Sequence, residues 1–190
     1  MALGLVFLSA CAQEKEQGPP RWGAFPVPIW ADASVLTDAE SERDFKEAMS
    51  FWEGKAGKRL FDFRGEWTGS APYSGSLSKP GNILANVVFK PSPWPFGNTT
   101  AGQTSIIYTG SRIQGALVMM NGEIPSCAGD CLASHYGSTS ERRVITHELG
   151  HFLGLSHVND PGNIMNPTVM PGASISNLRV DEGALRAFTQ

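Results

Sequence analysis

The chain has 190 residues, 41% of them hydrophobic and 17% charged, with a formal net charge of -3. That length and balance suit one folded domain with a full core rather than a disordered polypeptide. Lys and Arg are scattered, which argues against nucleic acid as the main partner, and no apolar run reaches the roughly 20 residues a membrane-spanning helix needs.

In chain order, the first feature is an almost wholly apolar run from Leu3 to Ala10, followed by Cys11 and the polar stretch Gln13 to Gln17. Such a run is too short to span a bilayer but adequate for the apolar region of a signal peptide. Leu8-Ser9-Ala10-Cys11 resembles the lipobox of bacterial lipoproteins, although no Lys or Arg precedes the run. The resemblance implies that residues 1–11 are a signal peptide and that Cys11 carries lipid and becomes the mature N-terminus. Residues 12–24 would then be a tether, polar and then Pro-rich. The protein would be exported and would act in a bacterial cell envelope, lipid-anchored, or be secreted. A buried first strand is the plainer account of the run, but the polar spacer and Pro19-Pro20 fit it poorly.

Of three cysteines, Cys11 would be acylated, leaving Cys127 and Cys131. In an exported protein that pair is most simply a small disulfide closing a loop. A metal-ligand reading of the same pair stays open, but no other Cys is left to complete a thiolate-rich site.

Residues 25–190 read as one folded unit. Val27 to Trp30, bracketed by Pro26 and Pro28, suggests a first strand at a sheet edge, where Pro is tolerated. Thr37-Asp38-Ala39-Glu40 has the form of a capping box and opens a helix whose Phe45, Ala48, Met49 and Trp52 share one buried face. Gly54 and Gly57 end it. Leu60 to Phe63 and Ile83 to Phe89 are strand candidates, with Gly65 to Gly81 between them as loop. After a Pro-rich loop, Pro91 to Gly102, come two more β-like runs, Thr104 to Thr109 and Ile113 to Asn121. Ser138-Thr139-Ser140-Glu141 is a second capping box, leading into a helix over Val144 to Leu153. Loop follows from Asn159 to Ser174, and a short helix, Asp181 to Phe188, closes the chain. The order predicts an α+β fold with a mixed sheet backed by two helices.

The chemistry concentrates in residues 147–157, His-Glu-Leu-Gly-His-Phe-Leu-Gly-Leu-Ser-His. On a helix, positions i and i+4 project from one face, so His147 and His151 can reach one metal ion at roughly 2.0–2.1 Å. Glu148, turned by ~100° from His147, is a poor third ligand but lies well for a metal-activated water. Gly154 lets the backbone turn sharply and return His157 to the same ion. Three imidazoles leave the fourth position open, the signature of a catalytic zinc. Glu148 would then act as general base towards an attacking water. A lone helical His is usually just packed or solvated. Three of the chain's four histidines falling in this spacing make that account poor here, whereas His135 reads as an ordinary loop residue.

This pattern, His147-Glu148-x-x-His151-x-x-Gly154-x-x-His157, resembles the extended motif of the metzincin metalloproteases. Met165, in Asn163-Ile164-Met165-Asn166-Pro167, is similar in spacing to the family's Met-turn; Met170 fits that spacing less well. The resemblance implies a zinc metalloendopeptidase with Met165 as an apolar floor beneath the ligands. It implies a metzincin-like fold: a mixed twisted sheet backed by two long helices, a cleft under an edge strand, the Met-turn and a C-terminal helix. Pro167, Thr168 and Val169 would wall the pocket after the scissile bond. The edge strand holding substrate by β-augmentation would contain Gly115, Ala116 and Leu117.

Within the metzincins the chain is most similar to matrixins, bacterial ones included, through Gly154-Leu155-Ser156-His157 and the Met-Asn-Pro turn. It departs from the animal enzymes at Val158, where they carry Ser or Thr. One spare histidine excludes their second His-rich zinc site, and no cysteine-switch motif lies between Cys11 and the catalytic domain. Calcium has room in loops such as Asn159-Asp160, though nothing in their pattern is specific. The expected partner is a protein or peptide substrate, cut by a monomer. Two rival readings are a catalytically silent zinc-binding surface lipoprotein and an amide hydrolase acting on cell-wall peptides. The intact Glu148 argues against the first.

Overall fold

The computed structural model describes residues 19–129, 139–168 and 174–190. Cys11, Cys131, His135, Val169 and Met170 lie outside the described residues. In chain order the elements are β1 (Val27–Ala31), α1 (Ala39–Ala56), β2 (Phe61–Glu66), β3 (Tyr73–Ser76), β4 (Lys79–Ile83), β5 (Val87–Phe89), β6 (Gly102–Thr109), β7 (Arg112–Met120), α2 (Glu141–Phe152) and α3 (Glu182–Thr189). Five strands form one sheet in the order β2-β1-β5-β7-β6. All neighbours run parallel except β6, which pairs antiparallel with β7 and forms one edge. The architecture is the mixed sheet and helices that the sequence predicts.

Strand β1 buries Val27, Ile29 and Ala31 on one face, as period-2 alternation demands. It is not at the edge, however. It lies between β2 and β5, and Pro28 is accommodated by register instead. The Trp30 N–H bonds Asn86 O at 2.9 Å, so Pro28, two residues earlier, turns its ring nitrogen to the same side, where β5 has not yet begun. Asn86 fills that gap: its Nδ2 donates to Pro28 O and its Oδ1 accepts from Ala116 N–H, both at 2.9 Å. A missing ladder donor thus coincides with a place where no strand partner exists.

Helix α1 starts one residue later than the capping box suggests. Asp38 is the cap, accepting from Glu40 N–H at 2.9 Å and Ser41 N–H at 2.8 Å. Those bonds hold its carboxyl below the usual carboxylate range. Gly57 closes the helix at φ 65°, the left-handed conformation that favours glycine, and Gly54 stays inside the last turn. Phe45, Ala48, Met49 and Trp52 are buried as the periodicity requires. They pack with Ile145, Leu149 and Phe152 of α2 against Val88 and Val118 of the sheet.

Two expectations fail between residues 65 and 89. The stretch Gly65 to Gly81 is not all loop, since it contributes β3 and most of β4, an antiparallel hairpin. The run Ile83 to Phe89 is not one strand: Ile83 ends β4, the Leu84 N–H turns to Pro72 O, and only Val87–Phe89 joins the sheet. The hairpin lies over the second face of the sheet, where Ile83, Trp94, Leu117 and Met119 form a smaller core. Its own residues are mostly exposed, so no alternation of apolar side chains marks it.

Candidate metal centre and active-site cleft

Helix α2 carries the first two histidines. Ser140, two residues beyond the expected Ser138, caps it by accepting from Arg143 N–H at 3.2 Å. Arg142 ties it to α1 through a buried ion pair with Asp44 at 2.7 Å and a half-exposed one with Glu47 at 2.8 Å. Trp52 of α1 donates from its indole to Thr146 O at 2.7 Å, directly before His147. Orientation of the ligand-bearing helix is therefore set by three residues of α1.

The helix ends at Phe152, and Gly154 follows with φ 102°. Two things require glycine there. The conformation is one that L side chains rarely adopt, and a β-carbon would stand 2.7 Å from Pro20 O. The turn it makes brings His157 back to the helix. Pairwise Nε2 separations among His147, His151 and His157 are 3.1, 3.1 and 3.2 Å.

The donor set fits a metal ion. Carbonyl oxygens only accept, so His147 donates from Nδ1 to Ile164 O and His151 from Nδ1 to Leu155 O, each at 2.7 Å. Their Nε2 atoms then carry lone pairs, and two such atoms 3.1 Å apart repel unless a cation lies between them. Burial reinforces this, lowering His147 to about 4 and shifting His151 downwards too, so both are neutral near pH 7. Ligand nitrogens around a tetrahedral zinc stand ~3.3–3.4 Å apart for bonds of ~2.0–2.1 Å, close to the spacing here. The backbone carbonyls serve as the outer partners that fix tautomer and ring orientation.

Met165 is 2% exposed and lies against α2. A β-carbon on Gly150 would be 2.3 Å from its Sδ and 2.7 Å from Trp52, so Gly150 is the space into which both side chains pack beside His151. The turn containing Met165 is built by its two asparagines. Asn163 Oδ1 accepts from Met165 N–H and Asn166 Oδ1 from Thr168 N–H, each at 2.9 Å. Val158 N–H donates to Met165 O at 2.9 Å, coupling this turn to the residue after His157. The valine side chain packs on the core, which suits an apolar residue at that position.

Glu148 is not among the side chains that converge on the metal position, but it lines the same cleft as the three histidines. It is 5% exposed, and burial raises its carboxyl to about 7, opposed by a hydrogen bond from Thr104 Oγ1 to Oε2 at 2.7 Å. The three histidines and Glu148 open into a cleft of about 840 Å³. Its other walls include Asn98 to Gln103, which lead into β6, the loop Glu123 to Pro125, and Pro167 with Thr168.

Gly115, Ala116 and Leu117 are not on that cleft. They lie in β7, an interior strand, and Ala116 and Leu117 are fully buried. The strand bordering the cleft is β6, through Gly102 and Gln103, with Thr104 next along it bonded to Glu148; spacing alone does not point to these three. A signal was present: Ile113 to Met120 is apolar almost without alternation, the mark of a strand covered on both faces, whereas β6 is mixed. Asp160 of the proposed calcium loop already accepts from Gly162 N–H at 3.0 Å and pairs with Arg179 at 2.7 Å. Cys127 is disulfide-bonded, and the expected partner Cys131 lies outside the described residues.

Three convergent imidazoles, two of them on α2 with a buried carboxylate and the third beyond its end, opening to a cleft, are the arrangement of a zinc metallopeptidase. The family follows from the sequence. The matrixin peptidase family model matches residues 48–184, most of the chain, and the protein belongs to the matrixin family. Among solved structures it is similar to a zinc-dependent peptidase from Methanocorpusculum labreanum (strain Z), at 11% identity and a TM-score of 0.35, covering 73% of this chain and 86% of that one. It is also similar to metalloproteinase-II from Bacteroides fragilis, at 14% identity and a TM-score of 0.39. That match covers 90% of this chain, which spans 57% of the longer protein. No curated protein sequence matches it.

Proposed function

We propose that the protein is a zinc-dependent endopeptidase in which His147, His151 and His157 hold the metal and Glu148 is the general base. The observation that carries the reading is a buried carboxyl and three converging imidazoles, all lining one cleft. Zinc, when bound, supplies a Lewis acid that polarises the scissile carbonyl and makes water acidic enough to be deprotonated near neutral pH. Glu148 takes the proton of the attacking water at its carboxylate and delivers it to the leaving amine.

Strand β6 holds the substrate. Ala101 O accepts from Asn121 N–H at 2.9 Å, so residues 101, 103 and 105 bond inwards to β7. Gly102, Thr104 and Ile106 therefore aim their backbone groups at the open edge, where an extended peptide can add as a further strand. Pro167 and Thr168, which border the cleft, wall the pocket for the residue after the scissile bond.

The purified protein is expected to degrade unfolded casein, with activity lost on chelation and recovered on adding one equivalent of zinc. A zinc-loaded protein that neither cuts casein nor binds a peptide hydroxamate would remove the peptidase reading.

We also propose export and lipid anchoring through Cys11. The lipobox-like Leu8-Ser9-Ala10-Cys11 and the disulfide at Cys127, a bond of oxidising compartments, support it. Mass spectrometry of the protein expressed with its N-terminal segment should find diacylglycerol on Cys11; an unmodified Met1 terminus sinks the idea.

A further inference from the structure

Glu148 is buried on one side of the cleft, and two residues of the same strand face it. Gly102 and Thr104 are two apart on β6, so they share a face of the sheet. A β-carbon on Gly102 would stand 2.6 Å from Glu148 Oε1 and 2.7 Å from its Cγ, distances at which the carboxylate would have to move. Thr104 Oγ1 lies 2.7 Å from Oε2 of the same carboxylate and 3.1 Å from the Glu148 carbonyl oxygen. One hydroxyl proton serves one acceptor at a time, and the shorter bond, to the group that carries charge, is the stronger. No other side-chain bond to this carboxylate exists among the described residues.

We propose that β6 positions the general base as well as the substrate: Gly102 leaves the space for the Glu148 carboxylate, and Thr104 orients it through its hydroxyl. The inference rests on Glu148 being the base and adds that Thr104 is its positioning residue. Both residues also present outward backbone groups to the cleft edge. A peptide bound along β6 is thereby held by the same backbone that fixes the base, and the proton acceptor is registered to the scissile bond within one strand.

The test uses the full chain with three substitutions, Thr104→Val, Thr104→Ser and Gly102→Ala, each checked for zinc content and thermal midpoint. Valine keeps the shape and removes the hydroxyl. The expected result is a fall in kcat of about tenfold, the lower end of the cost of a hydrogen bond to a charged group, with KM unchanged and zinc at one equivalent. Serine should restore kcat to within about threefold of wild type, because the hydroxyl alone is required. Gly102→Ala should lower kcat by about 100-fold, the cost of misplacing a reacting group by about 1 Å. Thr104→Val at wild-type kcat, an effect confined to KM, or a serine variant as slow as the valine variant would overturn the proposal. Crystal structures of the valine and alanine variants decide the matter without turnover. The carboxylate should leave its wild-type rotamer in both; one that keeps it refutes positioning by β6 even if the wild type proves inert, which would count against the peptidase reading alone.

Discussion

Replacing Glu148 with alanine is expected to leave zinc bound and the fold intact while lowering kcat by about 10³-fold, within the ~10²–10⁴ attributed to a positioned general base. The reasoning is geometric. Glu148 contributes no atom to the triangle of Nε2 donors, and its carboxylate is hydrogen-bonded to β6 rather than to any of the histidines. Metal content by atomic absorption should therefore stay at one equivalent, and the loss should fall on kcat rather than KM. Stability should change little, since the ionised carboxylate is itself disfavoured by burial and Thr104 retains the Glu148 carbonyl as an acceptor. Wild-type turnover in this variant would show that another group takes the proton.

Replacing His147 with alanine should act on the other quantity. It is the most buried of the three ligands, and its Nδ1 is tied to Ile164 O in the turn that carries Met165. The variant loses one of three donors together with the link between α2 and that turn. Zinc affinity should fall by more than the ~10–100-fold typical of losing an outer partner alone. Competition with a chromogenic chelator measures this directly, and activity should vanish at zinc concentrations that saturate the wild type. A full equivalent of zinc held through the same competition would exclude His147 as a ligand. The two variants separate metal retention from proton transfer: one keeps zinc without turnover, the other loses both.

The metal centre was legible in the sequence because its geometry is local. His147 and His151 are one helical turn apart, and Gly154 is the residue type the following bend requires. Met165 was singled out by resemblance to the family's turn, and the structure builds that turn locally through the Asn163 and Asn166 side chains. What escaped was long-range. Which of two consecutive β-runs forms the edge depends on where β5 inserts, 13 residues before β6 begins by the difference between Phe89 and Gly102, and no local spacing records it. Thr104 escaped with it, because its type is ordinary and only the β6–β7 register places its hydroxyl against Glu148. Pro28 misled by a sound rule: it lacks a ladder donor, but the vacancy fell where Asn86 precedes β5 rather than at a sheet edge. The hairpin β3–β4 was hidden because a strand that buries little carries no alternation to read.

Pro20 gives the N-terminal segment a mechanical meaning. Its carbonyl lies against Gly154, and Trp22, two residues on, donates its indole N–H to Phe152 O at 2.7 Å. Between them Arg21 is clipped to the sheet, its N–H bonded to Ser111 O and its carbonyl to Ile113 N–H, both at 2.9 Å. A molecule held by its N-terminal tether would take tension first at this three-residue clasp, Pro20 to Trp22, which sits on the bend that delivers His157. If Cys11 carries the proposed anchor, load on it and alignment of the third ligand would meet at one point of the chain, and deleting residues through Pro20 would loosen the bend from behind.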